Sequence, residues 1–234
     1  MFANNEIGTI QEVEKISMIA HLNNIIFHTD AVQAAGNVKI DVKKLGIDML
    51  SISSHKIYGP KGVGALYVRK GINFEKFING GHQEKNKRAG TENVAGIVGF
   101  GKACELASKN IDEHINYLRN LRDYYLSEVS RRIDGIKING TMESRLPGNA
   151  NISFEKISGG DLLLELDSKG ICASSGSACT SGSSEPSHVL TAIGLKSNWS
   201  DGALRVSFGE FNTKEEVDYL VNCLVESVNK LRNF

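Results

Sequence analysis

The chain has 234 residues, enough to bury a sizeable core as one large domain or two small ones. Its 41% apolar and 23% charged composition, with 24 glycines and 3 prolines, is that of a soluble globular protein. Twenty-seven basic residues balance twenty-seven acidic ones, so no net charge draws it to nucleic acid or to an anionic membrane surface.

No apolar run approaches the roughly 18 residues of a membrane span, and the first residues have neither the basic nor the apolar region of a secretion signal. A cytoplasmic location is expected. The four cysteines, at 104, 172, 179 and 223, form no CxxC pair and show no metal-ligand spacing, so reduced thiols and no intrinsic metal site are expected.

Asn4-Asn-Glu-Ile-Gly8 is polar turn chemistry, followed by a helical pattern from Ile10 to His21. Ile25 to Asp30 reads as a short buried strand ending in a carboxylate. An amphipathic-to-irregular stretch runs from Ala31 to Gly46, and the apolar run Met49 to Ile52 is a second strand. It leads through small residues to the pair His55-Lys56, then a glycine-rich turn and the strand Ala65 to Val68. Strand, crossover, strand predicts a parallel sheet, whose ligands sit at the carboxyl ends of its strands.

Asp30 and Lys56 both fall at such ends. Desolvation at the end of a buried strand disfavours the ammonium and frees a lysine amine to attack a carbonyl, which makes Lys56 a candidate Schiff-base residue. Pyridoxal phosphate needs that amine and a carboxylate against its pyridine nitrogen, and Asp30 is the candidate. Gln33 and His55 are placed to hydrogen-bond the ring oxygen or the phosphate. In the plainer reading, Asp30 caps a helix, His55 is an ordinary loop histidine and Lys56 is solvated.

Phe77 to Thr91 is a basic, glycine-containing loop ending where Thr91 is expected to cap a helix, a ready anion site. Val94, Ile97 and Val98 open an apolar stripe, and the helical pattern continues towards Arg132. That length predicts a bend or two helices joining two domains, 1–110 and 111–234. Cys104 and Cys223 lie on apolar helical faces.

Strands are expected at Ile136–Asn139 and Asn149–Phe154, then a helix from Gly160 to Asp167 stopped by Gly170, and a buried strand Ile171–Ala173 containing Cys172. From Ser174 to Ser184 every residue is small except for the thiol of Cys179. Such a stretch cannot pack a core, so it reads either as a mobile loop carrying a reactive cysteine or as a linker with an incidental one. Pro186 opens a helix to Ile193. Ala203 to Phe208 alternates as a strand with Arg205 opposite Leu204 and Val206, where its guanidinium can fork onto a carboxylate or face solvent. Thr213-Lys-Glu-Glu216 is a capping box, and Val217, Leu220, Val221, Leu224, Val228 and Leu231 form one helical face.

Together with Asn4 to Gly8, the segments His28-Thr-Asp-Ala-Val-Gln33, Ser53-Ser-His-Lys-Ile-Tyr-Gly-Pro-Lys-Gly62, Arg88-Ala-Gly-Thr91, Ser174-Ser-Gly-Ser-Ala-Cys-Thr180 and Glu185-Pro-Ser-His-Val-Leu190 resemble the cysteine desulfurases. These are pyridoxal-phosphate enzymes of the class V aminotransferase group, and the long Ser/Gly loop is similar to that of the iron–sulfur-assembly subgroup. The resemblance implies an α/β, fold-type I transferase: an incomplete large domain with a mainly parallel sheet, and a smaller α+β carboxyl-terminal domain. It implies that the chain is the carboxyl-terminal part of a longer family member, weak in cofactor binding and turnover alone.

By the same resemblance Lys56 holds the cofactor, Asp30 faces its ring nitrogen and Gln33 its hydroxyl, with Asn5 nearby. Ser53 and His55 touch the phosphate, and Thr91 reaches the phosphate of the other subunit of a homodimer. Arg205 clamps the carboxylate of the substrate L-cysteine, and Cys179 leaves as a persulfide while L-alanine is released. The sulfur then passes to an iron–sulfur scaffold or another acceptor protein, where Cys179 is also a transient cluster ligand. The alternatives are a selenocysteine lyase or aminotransferase of the same fold, or an inactive half kept for sulfur relay.

Overall fold

The computed structural model describes residues 1–176 and 187–233, and these fall into two compact units. The first comprises Met1–Phe2 and Gln11–Ile111, the second Ala3–Ile10 and Asp112–Phe234.

In the first unit helix α1, Val13–Leu22, is tied down where Ser17 Oγ donates to the Leu45 carbonyl at 2.6 Å. Strand β1, His28–Asp30, pairs in parallel with β2, Met49–Ser53, so that Asp30 lies opposite Ser51. The predicted strand is shortened: Ile25 and Ile26 stand outside the ladder and are exposed. Strand β3, Gly64–Val68, pairs with β2 antiparallel. The sheet therefore carries one parallel and one antiparallel pairing, because the link from Ser54 to Val63 is shorter than the dozen or so residues a parallel return needs.

A single turn, α2 (Gln83–Asn86), follows, with Glu84, Lys85 and Asn86 all in the left-handed region. Helix α3 spans Val94–Lys109. Its cap is Asn93, whose side chain accepts from the Gly96 N–H at 3.1 Å, and not Thr91, which lies outside the helix. Asn93 is the residue adjoining the first helical turn, and only there can a side-chain oxygen reach the open N–H groups. The expected stripe Val94, Ile97, Val98 is exposed; α3 buries Gly96, Phe100 and Ala103, the last two against Ile57.

Helix α4, Ile111–Arg132, follows α3 after Asn110 and belongs to the second unit from Asp112 on. Acids in its first turn and arginines in its last complement the helix dipole. Strands β4 (Ile136–Ile138), β5 (Asn149–Phe154) and β6 (Ala203–Ser207) form an antiparallel sheet in that order. Helices α5 (Gly159–Asp167), α6 (His188–Ala192), α7 (Ser197–Ser200) and α8 (Lys214–Arg232) complete it.

Strand β5 alternates Asn, Ala, Asn, Ile, Ser, Phe, and all six residues are buried. Its apolar set joins Leu204 of β6, Leu162 of α5, Tyr125 of α4 and Leu224 of α8 in the main core. Its polar set faces the other way: Asn149 and Asn151 meet the Glu6 carbonyl of the segment Ala3–Ile10, and Ser153 meets Asn139. The capping box of α8 is present, with Glu216 N–H donating to Thr213 Oγ1 at 3.3 Å and Thr213 N–H to Glu216 Oε2 at 3.1 Å.

Ile171–Ala173 is not a strand and Cys172 is exposed, because Ile171 and Ala173 turn towards the core and put the thiol on the opposite side. Helix α6 is capped by Ser187, whose Oγ accepts from Val189 and Leu190, and Pro186 lies outside the described residues.

Candidate functional site

In the first unit the candidate residues gather at the carboxyl ends of the parallel pair β1 and β2. Asp30 closes β1 and is exposed. Its Oδ1 accepts from the Val32 N–H at 2.9 Å, which turns the chain sharply and holds the carboxylate at the strand end. Gln33, three residues on, is half-buried in that turn, its carbonyl accepting from Asn37 Nδ2.

From β2 the chain enters the 3₁₀ turn Ser54–Ile57 directly. Ser54 and Ile57 point inward, Ile57 against Phe100 and Ala103 of α3, while His55 and Lys56 face out. Tyr58 takes a left-handed conformation to leave the turn, and Gly59 lets the backbone close on it: a Cβ there would stand 2.2 Å from Ser54 Oγ. Ser53 Oγ and His55 Nδ1 are hydrogen-bonded at 2.7 Å, which fixes the imidazole and leaves Nε2 as the nitrogen for a ligand.

Lys56 is exposed, contrary to the expectation of an amine held in low-dielectric surroundings. The turn packs through its inward residues, Ser54 and Ile57, which leaves this amine on the outer side. Thr91 is also exposed, before α3. A carboxylate, a serine–histidine pair and an amine at two adjoining strand ends match a group with a basic ring nitrogen, a phosphate and an aldehyde.

In the second unit, Asn5 and Arg205 are in contact: Arg205 Nη1 donates to the Asn5 carbonyl at 3.0 Å. Arg205 is half-buried on the polar face of β6, directly opposite Asn151 of β5. Cys179 lies outside the described residues. No group of three or more His, Cys, Asp or Glu able to hold a metal occurs among the described residues.

Sequence reasoning passed over Glu6, although it lies inside the first motif. It is almost fully buried, at 3% exposure, and its Oε2 accepts a 2.5 Å hydrogen bond from Ser187 Oγ. Only the acid within a polar turn signalled it. Arg145, bridged to Thr9, is buried, and that burial, reinforced by the neighbouring Arg122 charge, lowers its guanidinium to about 10. Burial pushes the Cys104 thiol up.

The class-V aminotransferase family profile matches residues 1–220. The cysteine desulfurase IscS of Dictyoglomus turgidum is 52% identical over 232 residues, which are 99% of this chain and 59% of that protein. The IscS of Methanosarcina thermophila is 55% identical over 233 residues, all of this chain and 57% of that one. Among solved structures, a NifS-like protein superposes with a TM-score of 0.90 at 38% identity, covering 99% of this chain and 60% of its own. A NifS-like protein from Rickettsia africae does so at 0.90 and 32% identity, covering 97% and 60%. The chain thus spans about 59% of the length of such curated relatives.

Proposed function

The chain belongs to the class-V aminotransferase family, and from that premise we propose that it carries the cofactor lysine, the substrate clamp and the sulfur-accepting thiol of a cysteine desulfurase. The observation that carries the reading is the parallel pairing of β1 with β2, which brings the Asp30 carboxylate beside the strand that runs into Ser53, His55 and Lys56.

The cofactor is pyridoxal phosphate, which supplies an electron sink when bound. Asp30 holds a proton at the ring nitrogen and Gln33 donates to the ring hydroxyl. Ser53 and His55 bind the phosphate, with Thr91 reaching the phosphate of the other subunit in a homodimer. Lys56 would be the amine that holds the cofactor through its aldehyde, and it would move protons afterwards. Arg205 pairs with the carboxylate of L-cysteine, and Asn5 lies next to that clamp. Cys179 attacks the substrate sulfur: the carbon–sulfur bond breaks, a sulfur–sulfur bond forms on the enzyme, and L-alanine leaves with the proton. The persulfide passes to an iron–sulfur scaffold or another acceptor protein in the cytoplasm. No helix among the described residues is long and apolar enough to cross a membrane.

The test is single-turnover incubation of the chain with pyridoxal phosphate and L-cysteine, followed by mass analysis of the peptide containing residue 179. One added sulfur atom and L-alanine in equal amount to that sulfur are expected, both lost in Cys179→Ala and in Lys56→Ala. Alanine formation that survives Cys179→Ala overturns the assignment in favour of another reaction on the same fold.

A further inference from the structure

The polar face of the antiparallel sheet in the second unit is buried, which is costly unless every polar group on it finds a partner. Asn139 serves Asn151 Oδ1 and Ser153 Oγ, and the turn that begins at Asn4 serves the side-chain amides of Asn149 and Asn151. Asn149 and Asn151, two residues apart on β5, both donate their side-chain amides to the Glu6 carbonyl, each at 3.1 Å. From the other side, Asn4 Oδ1 accepts from the N–H of Glu6 at 2.9 Å and of Ile7 at 3.0 Å. The Glu6 side chain adds a third tether, through its oxygen, to Ser187 Oγ.

The carbonyl immediately before this pinned residue is that of Asn5, and it accepts from Arg205 Nη1. Asn151, which stands opposite Arg205 in the ladder, is the same residue that holds Glu6. Arg205 and the oxygen that orients it are thus both referred to one strand, with Glu6 closing the loop. A glutamate buried to 3% costs more than a neutral acceptor would, and a turn residue needed only to fill space would be small or apolar.

We infer that Glu6 is a positioning residue for substrate-carboxylate recognition: its tethers fix the Asn5 carbonyl, and that carbonyl sets the direction of the Arg205 guanidinium. The inference rests on the proposed role of Arg205 as the clamp. It assigns to Glu6 no contact with substrate.

The test follows the guanidinium ¹⁵N–¹H resonances of Arg205 in the full chain. Slow rotation of the guanidinium is expected in the wild type. Glu6→Ala keeps the backbone tethers and removes only the side-chain bond to Ser187; the loosened turn is expected to weaken the Asn5–Arg205 bond and to speed rotation by up to about tenfold, the effect of one hydrogen bond to a charged group. Glu6→Gln, whose amide oxygen still accepts from Ser187, should restore slow rotation. Should Glu6→Ala fail to fold, Ser187→Ala, which removes the same tether from its other end, is expected to speed rotation in the same direction. Unchanged rotation in Ser187→Ala, or in a folded Glu6→Ala, overturns the inference. Titration with L-alanine tests the clamp separately. A wild-type chain whose Arg205 resonances ignore L-alanine sinks the role of Arg205, while the rotation rates still decide whether Glu6 orients it.

Discussion

Asp48 and Arg69 form an ion pair of 2.6 Å in which the carboxylate is 1% exposed and the guanidinium reaches it from the surface. His21 Nε2 lies 2.9 Å from the other carboxylate oxygen, which also accepts from the Phe27 N–H at 2.8 Å. One acid at the start of β2 thus ties together α1, the approach to β1 and the end of β3.

Burial pushes the Asp48 carboxyl up, but the Phe27 N–H, His21 and Arg69 together outweigh it and hold the group below its ordinary value. A depressed carboxyl contributes stability that is present above the unfolded value of about 3.9 and lost as pH falls through the folded one. Urea unfolding between pH 6 and about pH 3 should therefore show an acid-side loss that Asp48→Asn flattens. The same variant should cost about 2–3 kcal/mol at neutral pH, somewhat less than a fully buried pair because Arg69 remains half-exposed.

Gly59→Ala is expected to destabilise the first unit by about 1–3 kcal/mol, since the new methyl meets Ser54 Oγ, which is itself fully buried and has nowhere to go. Because the strain falls on the turn that carries His55 and Lys56, cofactor absorbance should drop along with the melting temperature. A variant with wild-type melting and wild-type absorbance contradicts the packing described for this turn.

The Ser53–His55 hydrogen bond predicts that Ser53→Ala weakens pyridoxal phosphate binding by roughly tenfold, with one phosphate partner gone and the imidazole released. Equilibrium titration of the cofactor absorbance measures it. An unchanged affinity would remove this pair from the phosphate site.

The cap of α3 separates two neighbouring residues. Asn93→Ala should lower stability by about 1 kcal/mol, whereas Thr91→Ala should leave it within about 0.5 kcal/mol and affect only cofactor binding. Denaturant melts of the two variants decide which residue caps the helix.

Thiol reactivity follows exposure. In a Cys179→Ala background, Cys172 should react rapidly with a disulfide reagent, Cys104 slowly because burial raises its thiol, and Cys223 only on unfolding. Rapid modification of Cys223 in the native chain would contradict its place in the core.

The motifs, the alternation of β5 and the capping box of α8 depend on residues a few positions apart, and such short-range rules are written in the chain itself. The placement of Asp30, His55 and Lys56 at strand ends is of the same kind, since strand ends can be read from where apolar runs stop. What the sequence alone did not determine concerns which side of an element meets the core. The exposure of Lys56, Cys172 and the Val94 stripe was decided by packing against α3 and by the main core, through partners far along the chain. Glu6 is the clearest instance. Its partner Ser187 is 181 residues away, and no local pattern encodes a contact that exists only once the turn at Asn4 has covered the polar face of β5. Hydrogen bonds of that span belong to the folded molecule, because only tertiary packing brings their two ends within 3 Å.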